Sequence, residues 1–110
     1  MARMILFTKA ILKQLPSIDK DRDAKEHFVH VKLFTPDSNW TWYVSAYDPG
    51  DDIAYGLVKG AELEYGYFSM QELRELRGPK PTRLYLERDT SFSKMPLQDV
   101  YDKVSAGKHV

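Results

Sequence analysis

Four groups of side chains in this 110-residue chain could do chemistry: three histidines, the carboxylates Glu87 and Asp89, the tyrosines Tyr43 and Tyr47, and a basic run from Arg74 to Arg88. His27 and His30 lie three apart in a stretch that alternates as a strand. They therefore point to opposite faces and cannot share one metal, and no HxH or HxxxH spacing exists elsewhere. Glu87 and Asp89 flank Arg88 and would share a strand face. There they can serve a metal- or water-dependent hydrolase as acid and base, or simply pair with arginine at the surface. Asp48, Asp51 and Asp52 surround Gly50, which is turn chemistry; a calcium loop needs more ligands and a closing bidentate glutamate. The chain has no cysteine, no nucleophile elbow and no glycine-rich phosphate loop. No catalytic residue, metal or cofactor is assigned on this basis, and no small-molecule ligand is identifiable.

What remains is recognition. Tyr43 and Tyr47 sit at alternating positions with His30 and Lys32 nearby, on a predicted sheet face of mixed character. A tyrosine there can anchor a protein partner or stack on a base. Charge opposes the second use: residues 27–68 hold two lysines against six acidic residues, and a phosphate backbone is repelled by that segment. A helix laid over this face would instead make both tyrosines core. The basic segment contributes Arg74, Arg77, Lys80, Arg83 and Arg88 against Glu75 and Glu87. It is either a solvated surface or an anion patch able to bind nucleic acid.

These groups must be positioned by a single domain spanning residues 1–110, the size at which one real core forms. Sixteen basic and sixteen acidic residues cancel, which excludes a polyanion-binding tail. No apolar stretch is long enough to span a membrane, and the short Met4–Phe7 run is no signal peptide, so a soluble, cytoplasmic protein is expected. Thr8 caps a short helix carrying Ile11, Leu12 and Leu15, stopped by Pro16. Ser17 to Glu26 alternates in charge and reads as a solvated loop. Ten of the fourteen aromatics lie between Phe28 and Phe68, favouring strands over residues 27–35, 40–47, 53–59 and 63–68 with short turns between them. One face gathers Val29, Val31, Leu33, Trp40, Trp42, Val44, Ile53, Tyr55, Leu57, Leu63, Tyr65 and Tyr67; the other carries the mixed set. Ser69 and Glu72 form a capping box for a second helix with Leu73 and Leu76 inward, ending at Gly78-Pro79. Residues 83–88 read as a short strand. A last helix begins at Pro96, buries Leu97, Val100, Tyr101 and Val104, and ends at Gly107. The expected fold is a two-layer α+β domain, an antiparallel meander of four to five strands with three short helices.

Three stretches carry a resemblance: HVKLFTPDSNWTWYVSAYDP (30–49), GLVKGAELEYGYFSMQELRELRGP (56–79) and LERDTSF (86–92), with the leading ILFTKAILKQLP. They resemble the bacterial family known as domain of unknown function 2958. The resemblance implies an accessory protein of a plasmid or conjugative element and brings no catalytic residues with it. The loop from Gly78 to Arg83 is more basic than that family leads one to expect. The function expected is a non-enzymatic binding protein with a protein partner; nucleic-acid binding through residues 74–88 and a hydrolase using Glu87 and Asp89 are the alternatives.

Overall fold

The computed structural model describes residues 3–110. Helix α1 (Lys9–Gln14) starts where the Thr8 hydroxyl accepts from the Ile11 N–H at 3.2 Å. Helix α2 (Ile18–Asp23) follows at once, with the Ser17 hydroxyl accepting from the Lys20 N–H. This corrects the expectation of a loop there. The segment has no apolar stripe to announce a helix; its inward residue is Asp21, only 6% exposed, and hydrophobic periodicity cannot register a buried carboxylate.

Strands β1 (Phe28–Val29), β2 (Val31–Phe34), β3 (Thr41–Asp48), β4 (Ile53–Lys59) and β5 (Leu63–Ser69) come next. Helix α3 (Met70–Glu75), the two-residue strands β6 (Glu87–Arg88) and β7 (Met95–Pro96), and helix α4 (Leu97–Ser105) complete the chain. The main sheet is antiparallel in the order β5-β4-β3-β2-β6, and β1 pairs with β7 in a small second sheet. The α+β class and the sequential meander are as the strand pattern and short turns dictate. The described residues form four helices, and of residues 83–88 only the last two form a strand, together with an isolated Arg77–Tyr85 bridge.

Helices cover the central strand on both faces. One core joins Leu6, Phe7, Val31, Leu33, Trp42, Val44, Tyr47, Ala54, Met70 and Leu73 beneath the N-terminal segment and α3. The other joins Val29, Tyr43, Leu57, Leu97, Val100 and Val104 beneath α4. The apolar residues of the meander therefore divide between two faces. The register of β3 against β4 sets Trp42 and Val44 opposite Val58 and Gly56, so Tyr55 and Leu57 share the face of Tyr43 instead, and a β-bulge then separates Tyr43 from Tyr47. Tyr43 pairs with Leu57 and Val44 with Gly56, but Ala46 pairs with Tyr55, so Ser45 is the extra residue of a β-bulge. A one-residue insertion reverses the alternation that follows. Tyr43 thus points into the α4 core, and Tyr47 into the opposite one, where its ring meets Phe7 edge-on at 5.0 Å.

Trp40 and Leu76, placed inward by periodicity, stand outward, as do Tyr65 and Tyr67. Trp40 lies just before β3 and is 42% exposed, stacked on buried Trp42 at 5.9 Å. Leu76 is the C-cap of α3 and exposed, since the helix ends at Glu75 before its next inward turn. Two helix ends shift from the sequence reading, since α3 stops at Glu75 ahead of Gly78-Pro79 and Pro96 is the N-cap of α4 rather than its first residue, while the caps at Ser69 and Gly107 are as read. Ser69 accepts from the Glu72 N–H, and Gly107 follows α4 at φ +79°, a conformation that favours glycine.

Candidate functional site: a tyrosine-lined cleft and an arginine cluster

The residues singled out on the mixed face do not present a surface. Tyr43 and Tyr47 are 3% and 9% exposed. The Tyr43 hydroxyl donates to the main-chain oxygen of Val110 at 3.3 Å, and burial raises its pKa. The Tyr47 hydroxyl donates to Asp52 Oδ1 at 2.5 Å, and its pKa too is raised by burial first. Lys32 is buried as well, its Nζ donating to the Val110 oxygen at 2.5 Å with Asp89 Oδ2 at 3.5 Å. His30 lies half-buried between β1 and β2, its Nδ1 shielded from water and without a hydrogen-bond partner. Burial lowers its pKa, the Lys94 charge acts in the same direction, and Asp21 opposes both. Tyr43, Tyr47 and Lys32 are thus buried beneath the segments that cover the sheet, and His30 is half-buried between its strands.

Asp21 links the new helix to the sheet. Its Oδ2 accepts from the Ser45 hydroxyl at 3.5 Å, at the bulge, and its Oδ1 lies 3.3 Å from His27 Nδ1. This holds α2 beside the α4 core and leaves a cleft between them. The cleft has a volume of about 680 Å³. Tyr55, Tyr65 and Tyr67 form its sheet side; Ile18, Arg22, Lys25, Glu26 and His27 form one wall; Pro96, Leu97 and Gln98 form the other. Tyr55 and Tyr67 lie 4.9 Å apart, and Tyr65 stacks nearly parallel on Tyr101 at 5.4 Å. Tyr65 and Tyr67 are 43% and 64% exposed. Burial, with neighbouring phenols and Asp102, raises the Tyr65 pKa, so the ring offers a neutral surface at physiological pH. An apolar aromatic patch with hydroxyl tips suits recognition.

Sequence reasoning placed these tyrosines in the core. No local signal separates them: Tyr55, Tyr65 and Tyr67 alternate in phase with the buried Leu57, and only the reach of a helix distant in sequence leaves them open. The stripe of α4 reaches Tyr43 and Leu57 and stops at Tyr65.

The basic run is brought together on the other side of the molecule. Arg3 and Arg77 place their guanidinium groups 4.9 and 4.7 Å from the centre of the Tyr85 ring. Arg3 donates to the Arg74 oxygen, Arg77 to the Arg83 oxygen, and Arg88 to the main-chain oxygens of Ile5 and Leu6. These bonds to neutral acceptors leave the positive charge uncancelled. Arg74 differs. It grips Asp52 through both nitrogens, at 2.6 and 3.0 Å, and lowers the Asp52 pKa. Lys80 and Arg83 are exposed on a loop that Asp37 clips down, accepting from Thr82 Oγ1 and the Leu84 N–H.

Glu87 and Asp89 line neither cavity. Asp89 accepts from the Ser91 N–H within a turn and faces Lys32. Among the described residues no three histidine or carboxylate side chains could converge on a metal, and no helix is long and apolar enough to cross a membrane.

No curated protein and no solved structure matches the chain. A family model described as protein of unknown function (DUF2958) matches residues 6–108, which takes in every helix and strand described above, the cleft and all of the arginine cluster but Arg3, and the chain belongs to that family.

Proposed function

We propose that this chain is a non-enzymatic binding protein, an accessory factor of a bacterial plasmid or conjugative element acting in the cytoplasm, that holds a protein partner in the cleft between α2 and α4. One observation carries the reading: three tyrosines on a sheet face otherwise closed by a helix, two of them substantially exposed. Exposed aromatic rings with a polar tip are the residues that dominate protein contacts. The sequence resemblance motivates the mobile-element setting. The test is affinity capture from a host carrying the element, comparing the wild-type chain with Tyr67→Ser and with the distant surface variant Lys13→Ser. A partner lost with the first and kept with the second supports the cleft. A partner held equally by all three refutes it.

A second reading is favoured by the arginine cluster around Tyr85. Arg3, Arg77 and Arg88 spend their hydrogen bonds on main-chain oxygens and keep their charge, as an anion-binding surface requires. Nucleic acid bound there would be released steeply by salt, and Arg77→Gln with Arg88→Gln would reduce the salt slope by about one counterion for each arginine–phosphate pair removed. A gel shift at low salt with no retardation removes this reading.

A further inference from the structure

We infer that the cleft takes its partner as an added β-strand: an extended segment of another protein that pairs with the outer edge of β5, with apolar side chains at alternate positions. This rests on the protein-binding reading above and deepens it by naming main-chain pairing as the means of capture.

The phase of the β4–β5 ladder supports it. Two hydrogen bonds flank that ladder, Gly60 N–H to the Glu62 oxygen and Met70 N–H to the Asp52 oxygen, both 2.9 Å. Each joins residues that stand opposite one another in the register running from Ile53–Ser69 to Lys59–Leu63. Antiparallel strands alternate bonded and non-bonded pairs. The bonded pairs are therefore the even-numbered ones, in which Glu64, Gly66 and Phe68 face β4. The N–H and C=O groups of Leu63, Tyr65 and Tyr67 point away from the sheet, and β5 is its terminal strand.

Those same residues project their side chains onto the cleft face, where Leu63 packs in the α4 core and Tyr65 and Tyr67 line the cleft. A strand laid along β5 would satisfy the outward groups and set every second side chain against the tyrosines. The edge is also unguarded. Edge strands are commonly blunted by lysine, proline or brevity; β5 has seven residues, neither of those residue types, and Glu64 as its single charge. The opposite edge, β6, is two residues long. In the cleft lining Arg22 is paired with Asp19 and Lys25 stands beside Glu26, so the wall selects no charge in the segment and the apolar tyrosine face sets its side chains. Single-stranded nucleic acid could stack on the tyrosines but has no alternating amides to match this edge.

The test uses the full chain and a random library of twelve-residue linear peptides displayed for selection. The best binder is resynthesised with one N-methyl amide at a time. Expected are binders with alternating apolar residues, and affinity losses of at least tenfold at every second N-methyl position, with tolerance between. Tyr67→Pro should also weaken binding at least tenfold. It removes an outward N–H and leaves the β4 ladder paired; if that variant does not fold, the N-methyl scan on the peptide decides alone. If Tyr67→Ser weakens binding but no N-methyl position matters, the added strand is wrong and the cleft stands. If neither matters, both are wrong. A selection without binders, preferential binding of single-stranded DNA to the cleft, or a solution dimer dissolved by Tyr65→Pro would each overturn the inference.

Discussion

Gly56 and Gly66 stand directly opposite each other in β4 and β5, and alanine at the two positions should have opposite effects. A Cβ on Gly56 would sit 1.9 Å from the Tyr43 carbonyl oxygen and 3.2 Å from the Ser45 nitrogen. Both neighbours are backbone of the central strand at its bulge, so they move only if β3 moves. Over-packing a buried site of this kind costs about 3 kcal/mol or more. Unfolding entropy of about 2.1 cal/mol/K per residue makes each kcal/mol worth about 4 °C in a domain of this length, so Gly56→Ala should lower Tm by about 12 °C or more. A Cβ on Gly66 meets nothing within 4 Å, and its backbone is not at positive φ. Gly66→Ala should therefore stabilise by roughly 0.4–1 kcal/mol, mainly by restricting the unfolded chain, and raise Tm by about 2–4 °C. Thermal melts by circular dichroism with urea midpoints on the same samples measure both. Equal shifts in the two variants would mean that β3 does not crowd β4 at the bulge, and the assignment of Tyr43 and Tyr47 to opposite cores would fall with it.

Three further outcomes are expected. The unfolded chain protonates His30 near its ordinary value of 6.5 while the folded chain resists, so the unfolded state binds more protons as pH falls. Its stabilising contribution is complete above pH 6.5 and is lost as pH drops through the lower folded pKa, at no more than about 1.4 kcal/mol per pH unit for one proton. His30→Gln should flatten urea midpoints between pH 7.5 and 5, and an unchanged slope refutes this. Asp52 has a folded pKa below 3.8 because Arg74 and then Tyr47 hydrogen-bond its carboxylate. Its contribution is present above pH 3.8 and disappears as pH falls through the folded value. The pair is partly exposed, so Arg74→Ala should cost about 1 kcal/mol at pH 7, and a double-mutant cycle with Asp52→Ala should return about the same coupling. Gly60→Ala would press a Cβ to 2.3 Å from the Trp40 ring. That ring is half-exposed and can swing away, so stability should change by less than about 1 kcal/mol while tryptophan emission moves to the red; a destabilisation as large as at Gly56 would show that the ring is fixed.

Local chemistry was legible in the sequence because it acts over three or four residues. Thr8 and Ser69 cap helices, Asp48-Pro49-Gly50 turns with the Asp48 carboxylate accepting from the Gly50 N–H, and Gly107 ends α4. The spacing of Leu97, Val100 and Val104 marked the buried face of that helix, and alternating apolar residues with short turns dictated neighbouring antiparallel strands. Tertiary structure decided everything that depends on what lies across from a residue. Asp21 holds α2 by reaching Ser45 and His27, partners 24 and 6 positions away in sequence that no apolar period encodes. The bulge at Ser45 sends Tyr43 and Tyr47 to different cores because its extra residue has a meaning only against β4. The cleft exists because α4 is nine residues long and reaches only part of the sheet face. Whether a tyrosine there is core or docking surface depends on which helix ends where, and that is a matter of packing across the whole chain rather than of the strand that carries it.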